Sequence, residues 1–390
     1  MQKKIYLPAL MALLLAGCAA VPPSPPPAPC VCPPVEVPVP PKPVEKPLQP
    51  ASWSDLPGWG SDDLTAAFDA FLASCKVLER RALWSGVCAS ARGGGGNDLR
   101  AWFEAQLQPW QLVNPDGSRD GLITGYYEPV IKGSRKPDNI YRYPVFGVPN
   151  DLITVDLSEV YPELRNLRLR GRLEGRKLVP YYSRADWTQQ EVRRADDAIM
   201  WTSDPIDFFF LQIQGSGQVD LPDGQRVRIS YADQNGHPYR SVGKWLAEQG
   251  EMKIEQTSMQ GIKAWAAANP KRLQELLNVN PSMVFFRELP VEGSGPPGAL
   301  AMPLTPERSI AVDARTTPLG SPVWLSTTQP NSDELLQRLV LAQDTGGAIR
   351  GPVRADFYWG SGAEAGAKAG RMKQRGRMWV LLPKGYAPSQ

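Results

Sequence analysis

Between Val21 and Pro50 the chain places 14 of its 40 prolines. A segment in which about half of the residues lack a backbone N–H cannot supply the hydrogen bonds of a helix or a central strand. It reads as a spacer over residues 18–52, spanning several tens of Å at about 3.1 Å per residue in polyproline II. With 390 residues in all, the chain exceeds one compact core and leaves room for two domains after that spacer. Its formal net charge is only +3. Nucleic acid is therefore not an expected partner, because little positive charge is available to displace counterions from phosphates.

Ahead of the spacer stand Lys3 and Lys4, an apolar run from Ile5 to Leu15, and then Ala16-Gly17-Cys18. A bilayer-spanning helix needs about twenty apolar residues, so residues 1–17 read as a secretory leader. The small residues before Cys18 resemble the lipobox of bacterial lipoproteins, in which the cysteine thiol is acylated and becomes the new N-terminus. An ordinary signal peptide with an incidental cysteine is the competing reading. Ala19, standing where an aspartate would resemble an inner-membrane retention signal, points to an outer-membrane lipoprotein facing the periplasm. Export to an oxidising compartment permits disulfides. Cys30 and Cys32 fall in the spacer, whereas Cys75 and Cys88 fall in folded sequence and are expected to bridge a helix to the turn after it. No Cys-x-x-Cys occurs and His237 is the only histidine. A site of two or three histidines is excluded, and neither a metal nor a cofactor is expected.

Leu64, Phe68, Phe71, Leu72, Cys75 and Leu78 recur at helical spacing behind Ser61 as expected N-cap, and Asn97 is placed to cap a helix carrying Leu99, Trp102, Phe103 and Leu107. β-like runs follow at 122–127, 152–157, 177–181 and 208–214. Helices are expected at 241–248, at 257–268 with Thr257 and Gln260 as a capping box, and at 270–277. Strands return at 283–287, 310–313, 323–326, 339–343 and 378–382. The pattern predicts a mainly β chain with helices, of α+β class. A β domain over residues 129–250 would be inserted into a domain built from 53–128 and 251–390, with a groove between the two as the natural substrate site. Two consecutive domains would give a similar alternation.

Three carboxylates stand at strand ends in the C-terminal block: Asp313, Asp344 and Asp356. Carboxylates gathered at one end of a small barrel repel one another, and repulsion with burial raises a pKa toward what an acid catalyst needs at neutral pH. The plainer reading is that Asp313 and Asp344 accept hydrogen bonds from turn amides. Asp344-Thr345-Gly346 is also the tripeptide of aspartic proteases, but that chemistry needs a second such aspartate, and no further Asp-Thr-Gly or Asp-Ser-Gly occurs in the chain.

The runs Thr124-Gly125-Tyr126-Tyr127-Glu128-Pro129, Gln214-Gly215-Ser216-Gly217, Asn235-Gly236-His237-Pro238-Tyr239-Arg240-Ser241, Asn280-Pro281-Ser282-Met283-Val284-Phe285-Phe286 and Asp344 to Gly360 resemble the membrane-bound lytic murein transglycosylase A family. The resemblance implies a double-psi β-barrel formed by both chain ends, an inserted six-stranded β-barrel, and peptidoglycan glycan strands bound between them. It also implies that Asp356 is the catalytic acid, supported by Asp344 and Asp313, and that the MurNAc–GlcNAc β-1,4 bond is cleaved to leave a 1,6-anhydro end. Such an enzyme needs no second catalytic carboxylate, because the sugar's own C6 hydroxyl attacks. Tyr126, Tyr127, Tyr358 and Trp359 are candidates for aromatic faces against sugars, and Thr124, Gln214 and Ser216 for polar partners. Gly215 lets the backbone approach the glycan or makes a bulge, and His237 is expected to order its loop. Expected partners are peptidoglycan glycan strands, the outer membrane through the lipid anchor, and complexes of cell-wall synthesis or hydrolysis. Two other classes stay open at this level: a non-catalytic cell-wall-binding lipoprotein and an aspartic protease.

Overall fold

The computed structural model describes residues 46–387 apart from 165, 166, 168, 190–193 and 195. The leader, Cys18, Cys30 and Cys32 lie outside them. The expected spacer reaches residue 52, yet Leu48–Pro50 (β1) already pairs antiparallel with Leu107–Leu112 (β2). Proline is tolerated there because β1 is an edge strand, where a missing N–H can face outward and breaks no ladder.

Helices α1 (Thr65–Leu78), α2 (Ala82–Arg92) and α3 (Leu99–Gln106) come next. Their starts differ from the expected ones. Asp63, not Ser61, receives the Thr65 amide at the head of α1, and Asp98, not Asn97, caps α3 by accepting from the Ala101 amide. In each case the carboxylate, two or three residues before the amide it receives, takes the place expected for the earlier residue. Cys75 and Cys88 are bonded, with Cα atoms 5.4 Å apart. Cys88 lies within α2, so the bond joins two helices, where a turn was expected at its second end.

The chain then enters β3 (Gly121–Glu128) and leaves for a long insertion. That insertion holds β4 (Val130–Ser134), β5 (Tyr143–Phe146), β6 (Ile153–Thr154), β7 (Arg170–Glu174), β8 (Lys177–Pro180), α4 (Arg184–Thr188), β9 (Ala198–Thr202), α5 (Pro205–Gln214), β10 (Ser216–Asp220) and β11 (Arg226–Gln234). Helices α6 (Val242–Glu248), α7 (Met259–Ala268) and α8 (Leu273–Asn278) lead to β12 (Val284–Pro290). Six strands pair in the order β12-β11-β10-β4-β9-β5, and β6-β7-β8 form a separate small sheet. The strand at Val284–Pro290 was expected with the C-terminal block. It pairs instead with β11, which carries this β layer past the expected boundary at Gly250.

The largest correction concerns residues 208–214, expected as a strand and found in α5. Asp204 caps it by accepting from the Ile206 and Asp207 amides, and Pro205 sits in the first turn. Phe208 and Leu211 pack into the core of the six-stranded sheet, while Ile206, Phe209 and Phe210 pack against α6, α7 and α8. A helix apolar on all sides is what burial between two cores demands, and it hides the helical period. At α7 the cap is Ser258, which accepts from the Gly261 amide, and not Thr257. The stretch 270–277 divides into a 3₁₀ turn at Pro270–Arg272 and then α8.

The C-terminal block supplies β13 (Ser309–Val312), β14 (Pro322–Thr328), β15 (Leu335–Asp344), β16 (Arg354–Ser361), α9 (Gly362–Ala369) and β17 (Lys373–Pro383). Pairing runs β17-β14-β15-β13-β16-β3 and returns from β3 to β17, closing a six-stranded barrel to which β2 and β1 are added. The β13–β15 and β16–β3 pairs are parallel. Phe71, Phe103, Trp324 and Phe357 fill the core shared by barrel and N-terminal helices. Barrel and insertion are tied at Glu128, the last residue of β3. Its buried carboxylate accepts from Arg228 Nε of β11 at 2.5 Å, from Gln218 Nε2 at 2.7 Å and from Ser361 Oγ at 2.7 Å. Removing one partner of such a buried pair typically costs about 3–5 kcal/mol.

Candidate active site

Strand register brings the sequence-predicted residues together. Ala311 of β13 pairs with Asp344 on one side and with Asp356 on the other, and Asp356 pairs in turn with Thr124 of β3. The small alanine side chain leaves room between the two carboxylates. Asp356 is the third residue of β16, inside the strand rather than at its end as expected. Its Oδ1 accepts from the Thr124 hydroxyl at 2.7 Å. The side chain keeps some contact with solvent, yet burial pushes its carboxyl up to about 6; Thr124 and Arg354 pull the other way, and Asp344 adds a further upward push.

Asp344 closes β15. Its Oδ2 accepts from the Tyr126 hydroxyl at 3.0 Å and its Oδ1 from the Ala299 amide at 2.9 Å. Desolvation, reinforced by Asp344, holds Tyr126 well above the ordinary tyrosine range, so this hydroxyl stays a donor. Asp313 stands apart chemically. Arg315 grips it through Nη2 at 2.6 Å, the Gly351 amide donates at 2.8 Å, and these bonds hold its carboxyl down to about 2. The expected mutual repulsion of three carboxylates is thus replaced by a division of labour. Asp356 is raised mainly by burial, while Asp313 is held ionised at neutral pH by Arg315 and the Gly351 amide.

The aromatic residues do not offer the expected platforms. Tyr358 is fully buried and packs against Tyr126 with ring centres 5.2 Å apart. Leu304 and Ile349 cover that end of the sheet face, so neither ring can lie on a sugar. Tyr127 and Trp359 belong to the main core. Gln214 sits at the end of α5, where its Oε1 accepts from the Tyr127 amide at 3.2 Å. Gly215 ends α5 in the left-handed conformation, φ 82°, and Ser216 opens β10 opposite Ser230. These three flank β3 rather than contacting Asp356. His237 lies elsewhere in the insertion, with Nε2 2.7 Å from the Tyr181 carbonyl. The Ala299 amide and the Glu128 cluster escaped sequence reasoning. For Glu128 the signal was its place at the end of the Thr124–Pro129 run.

A cavity of about 190 Å³ lies beside Gly125, Tyr127, Gln214, Tyr239 and Met259, where β3 and α9 meet α5–α7. A wider one of about 700 Å³ is lined by Arg172, Tyr181, Tyr182, Asp186 and His237. None of the three aspartates lines either, so the chemistry is assigned from the carboxylates on the barrel face and not from the depth of a hollow. Among the described residues no cluster of histidine, cysteine and carboxylate side chains could hold a metal ion.

A barrel whose wall presents one carboxyl raised by burial and oriented by a neighbouring hydroxyl has the groups that general acid–base chemistry uses. Residues 122–287 match the MltA specific insert domain, and residues 308–382 match the 3D domain, a double-psi β-barrel. The chain is 34% identical over 294 residues to the membrane-bound lytic murein transglycosylase A of Escherichia coli (strain K12), spanning 73% of this chain and 72% of that protein. The crystal structure of MltA from Neisseria gonorrhoeae in its monoclinic form superposes with a TM-score of 0.76 at 38% identity, covering 88% of this chain and 94% of that one. E. coli MltA with bound chitohexaose gives 0.67 at 27% identity, covering 87% and 96%. The chain belongs to the membrane-bound lytic murein transglycosylase A family.

Proposed function

We propose that this protein is a peptidoglycan lytic transglycosylase and that Asp356 performs both of its proton transfers. The observation that supports this most directly is the Asp356 carboxyl, raised to about 6 by burial and oriented by Thr124 at 2.7 Å. Its protonated form donates to the glycosidic oxygen as the C1–O bond between MurNAc and GlcNAc breaks. The resulting carboxylate takes the proton of the MurNAc C6 hydroxyl as that oxygen bonds to C1. The products are a GlcNAc 4-hydroxyl and a 1,6-anhydro-MurNAc end, and Asp356 is restored. Intramolecular attack supplies several kcal/mol through effective molarity, so no carboxylate nucleophile is required. Asp344 supports the acid by holding negative charge nearby, anchored by Tyr126 and Ala299. Asp313 holds the Gly351 turn that leads into β16. An aspartic protease would need Asp344 to share a proton with a second carboxyl, whereas both its oxygens are already engaged.

The substrate is the peptidoglycan glycan strand, in keeping with the relatives' name and with the chitohexaose complex of E. coli MltA. Thr124, Gln214, Gly215 and Ser216 border its path. Cys18 carries the lipid that anchors the protein to the outer membrane, facing the periplasm, where cell-wall complexes are its partners. Among the described residues no helix is long and apolar enough to cross a membrane. The test is digestion of purified sacculi followed by mass spectrometry. Products ending in 1,6-anhydro-MurNAc are expected; reducing MurNAc ends in their place would show that water attacks, and the reading would fall.

A further inference from the structure

Three cations share the sheet face of the catalytic acid. Register-paired residues on neighbouring strands project to one side of a sheet, and alternate residues along a strand do the same. Asp356 of β16, Thr124 of β3 and Lys373 of β17 form one such row. Two residues along, Arg354, Leu122 and Arg375 form the next. The burial pattern agrees. Ile123, Ala355 and Phe357 point into the core, while Leu122, Lys373 and Arg375 are exposed.

Exposed arginines and lysines usually find carboxylates, and Arg377 on the same strand pairs with Asp120 at 3.0 Å. Among the described residues Arg354, Lys373 and Arg375 form no close ion pair, although Arg354 lies near enough to Asp356 to lower its pKa. Arg354 is instead aimed by main-chain carbonyls, its Nη1 donating to Leu122 O at 3.2 Å and to Ala355 O. Its Nη2 and Nε stay available for a planar acceptor, the geometry that suits a carboxylate. Leu122 between the cations is 40% exposed, an apolar contact beside the charges. The face is built for a ligand that is anionic and partly apolar, adjoining the bond that Asp356 cleaves. A chitin-type β-1,4 glycan carries no charge, and a muramic residue without its peptide carries only the lactyl carboxylate. The muramic acid of peptidoglycan carries a lactyl-linked peptide with free carboxylates of its own.

We infer that Arg354, Lys373 and Arg375, with Leu122 between them, form a subsite for the carboxylates of the peptide stem on the muramic residue next to the scissile bond. The inference rests on the peptidoglycan reading above. It makes the enzyme selective for peptide-bearing strands through KM, with kcat left to Asp356.

The test compares the wild type with K373Q/R375Q, which alters only exposed side chains, and with R354Q, on three ligands. These are peptide-bearing glycan strands, strands stripped of peptide by an amidase, which keep the lactyl carboxylate, and uncharged chitohexaose; an equal loss on the stripped strands would assign the cations to the lactyl group and overturn the stem subsite. K373Q/R375Q is expected to raise KM on peptide-bearing strands about 2- to 30-fold at low salt, the range for two exposed charge contacts, with kcat unchanged. The difference should shrink as salt is added, and binding of chitohexaose should not change. R354Q is expected to raise KM on peptide-bearing strands further and, because Arg354 lowers the Asp356 pKa, to move the pH profile of kcat upward as well. Equal KM values for wild type and K373Q/R375Q on peptide-bearing strands, or a matching loss on chitohexaose, would overturn the subsite. Anhydro products formed with unchanged KM would sink the subsite and leave the activity standing. Salt-sensitive binding of peptide-bearing strands without anhydro products would do the reverse.

Discussion

The Thr124 hydroxyl and the Asp356 carboxyl meet at directly paired positions of two parallel strands, 2.7 Å apart. One strand comes from the N-terminal side of the insertion and the other from the C-terminal block, so the carboxyl is oriented by a residue 232 positions away. A hydrogen bond to the ionised form stabilises that form. Replacing Thr124 with valine removes it, and the carboxyl pKa then rises further. The fall in activity at alkaline pH is expected to move upward by about a unit, since one net hydrogen bond is worth about 1 kcal/mol. The pH dependence of anhydro-product release measures this, and an unmoved profile would show that Thr124 does not tune the acid.

Asp356→Asn keeps the shape of the side chain and loses both proton transfers. Release of anhydro products should fall at least about 10²- to 10⁴-fold, the effect of one general acid–base role, while sacculus binding in a pull-down stays near wild type. Near-normal release would move the acid to another aspartate.

The same substitution has a stability signature of definite sign. An aspartate raised from 3.8 to about 6 releases its proton more readily in the unfolded chain, so ionisation disfavours the native state. That penalty is absent below the unfolded value and complete above the folded one. Asp356→Asn should therefore raise Tm by about 1–3 °C at pH 7.5 and leave it unchanged near pH 3.5. A lower Tm at pH 7.5 would contradict the burial of this carboxyl.

Asp313→Asn acts in the opposite sense. A carboxyl held at about 2 lends stability above its ordinary pKa and loses it as pH falls toward 2. Asparagine forfeits the ionic partner Arg315 and weakens the bond to Gly351, at a cost of about 1–3 kcal/mol at pH 7. Urea titration at pH 7 and at pH 3 reads this as a difference that shrinks in acid. Activity at low temperature should persist, because the residue does not reach the reacting atoms.

Cys75→Ser with Cys88→Ser should lower stability by about 3 kcal/mol in the chain-entropy model, seen as an earlier urea midpoint. Cys18→Ala is expected to abolish incorporation of radioactive palmitate while leaving sacculus digestion intact. Equal labelling of that variant would remove the anchor.

The β strands of the C-terminal block were legible because Val323–Ser326 and Met378–Leu382 are short apolar runs between turn residues, and the aspartates stood out against them. Residues 208–214 were not, since a helix buried on two sides shows no polar face from which a period can be counted. Edge strand Leu48–Pro50 was masked by its prolines, which composition assigns to a spacer. At the site, the carboxylates were visible as residue types, but their separate fates were not. Asp313 is lowered by Arg315 and the Gly351 amide and Asp356 is raised by burial, and only folding selects those surroundings. Tyr358 shows the same limit: strand alternation puts it on the site's face, and the segment bearing Leu304 then covers it.

The barrel closes only through β17, which reaches β3 on one side and β14 on the other. Until residues 373–383 have been made and delivered, β3 lacks its second neighbour and the wall that presents Asp356 cannot close. The surface that presents Asp356 is therefore completed only when this strand docks. β17 is thus the barrel's latch, and a change that keeps it from docking would open the wall that presents Asp356 while leaving Asp356, Thr124 and Asp344 themselves unaltered.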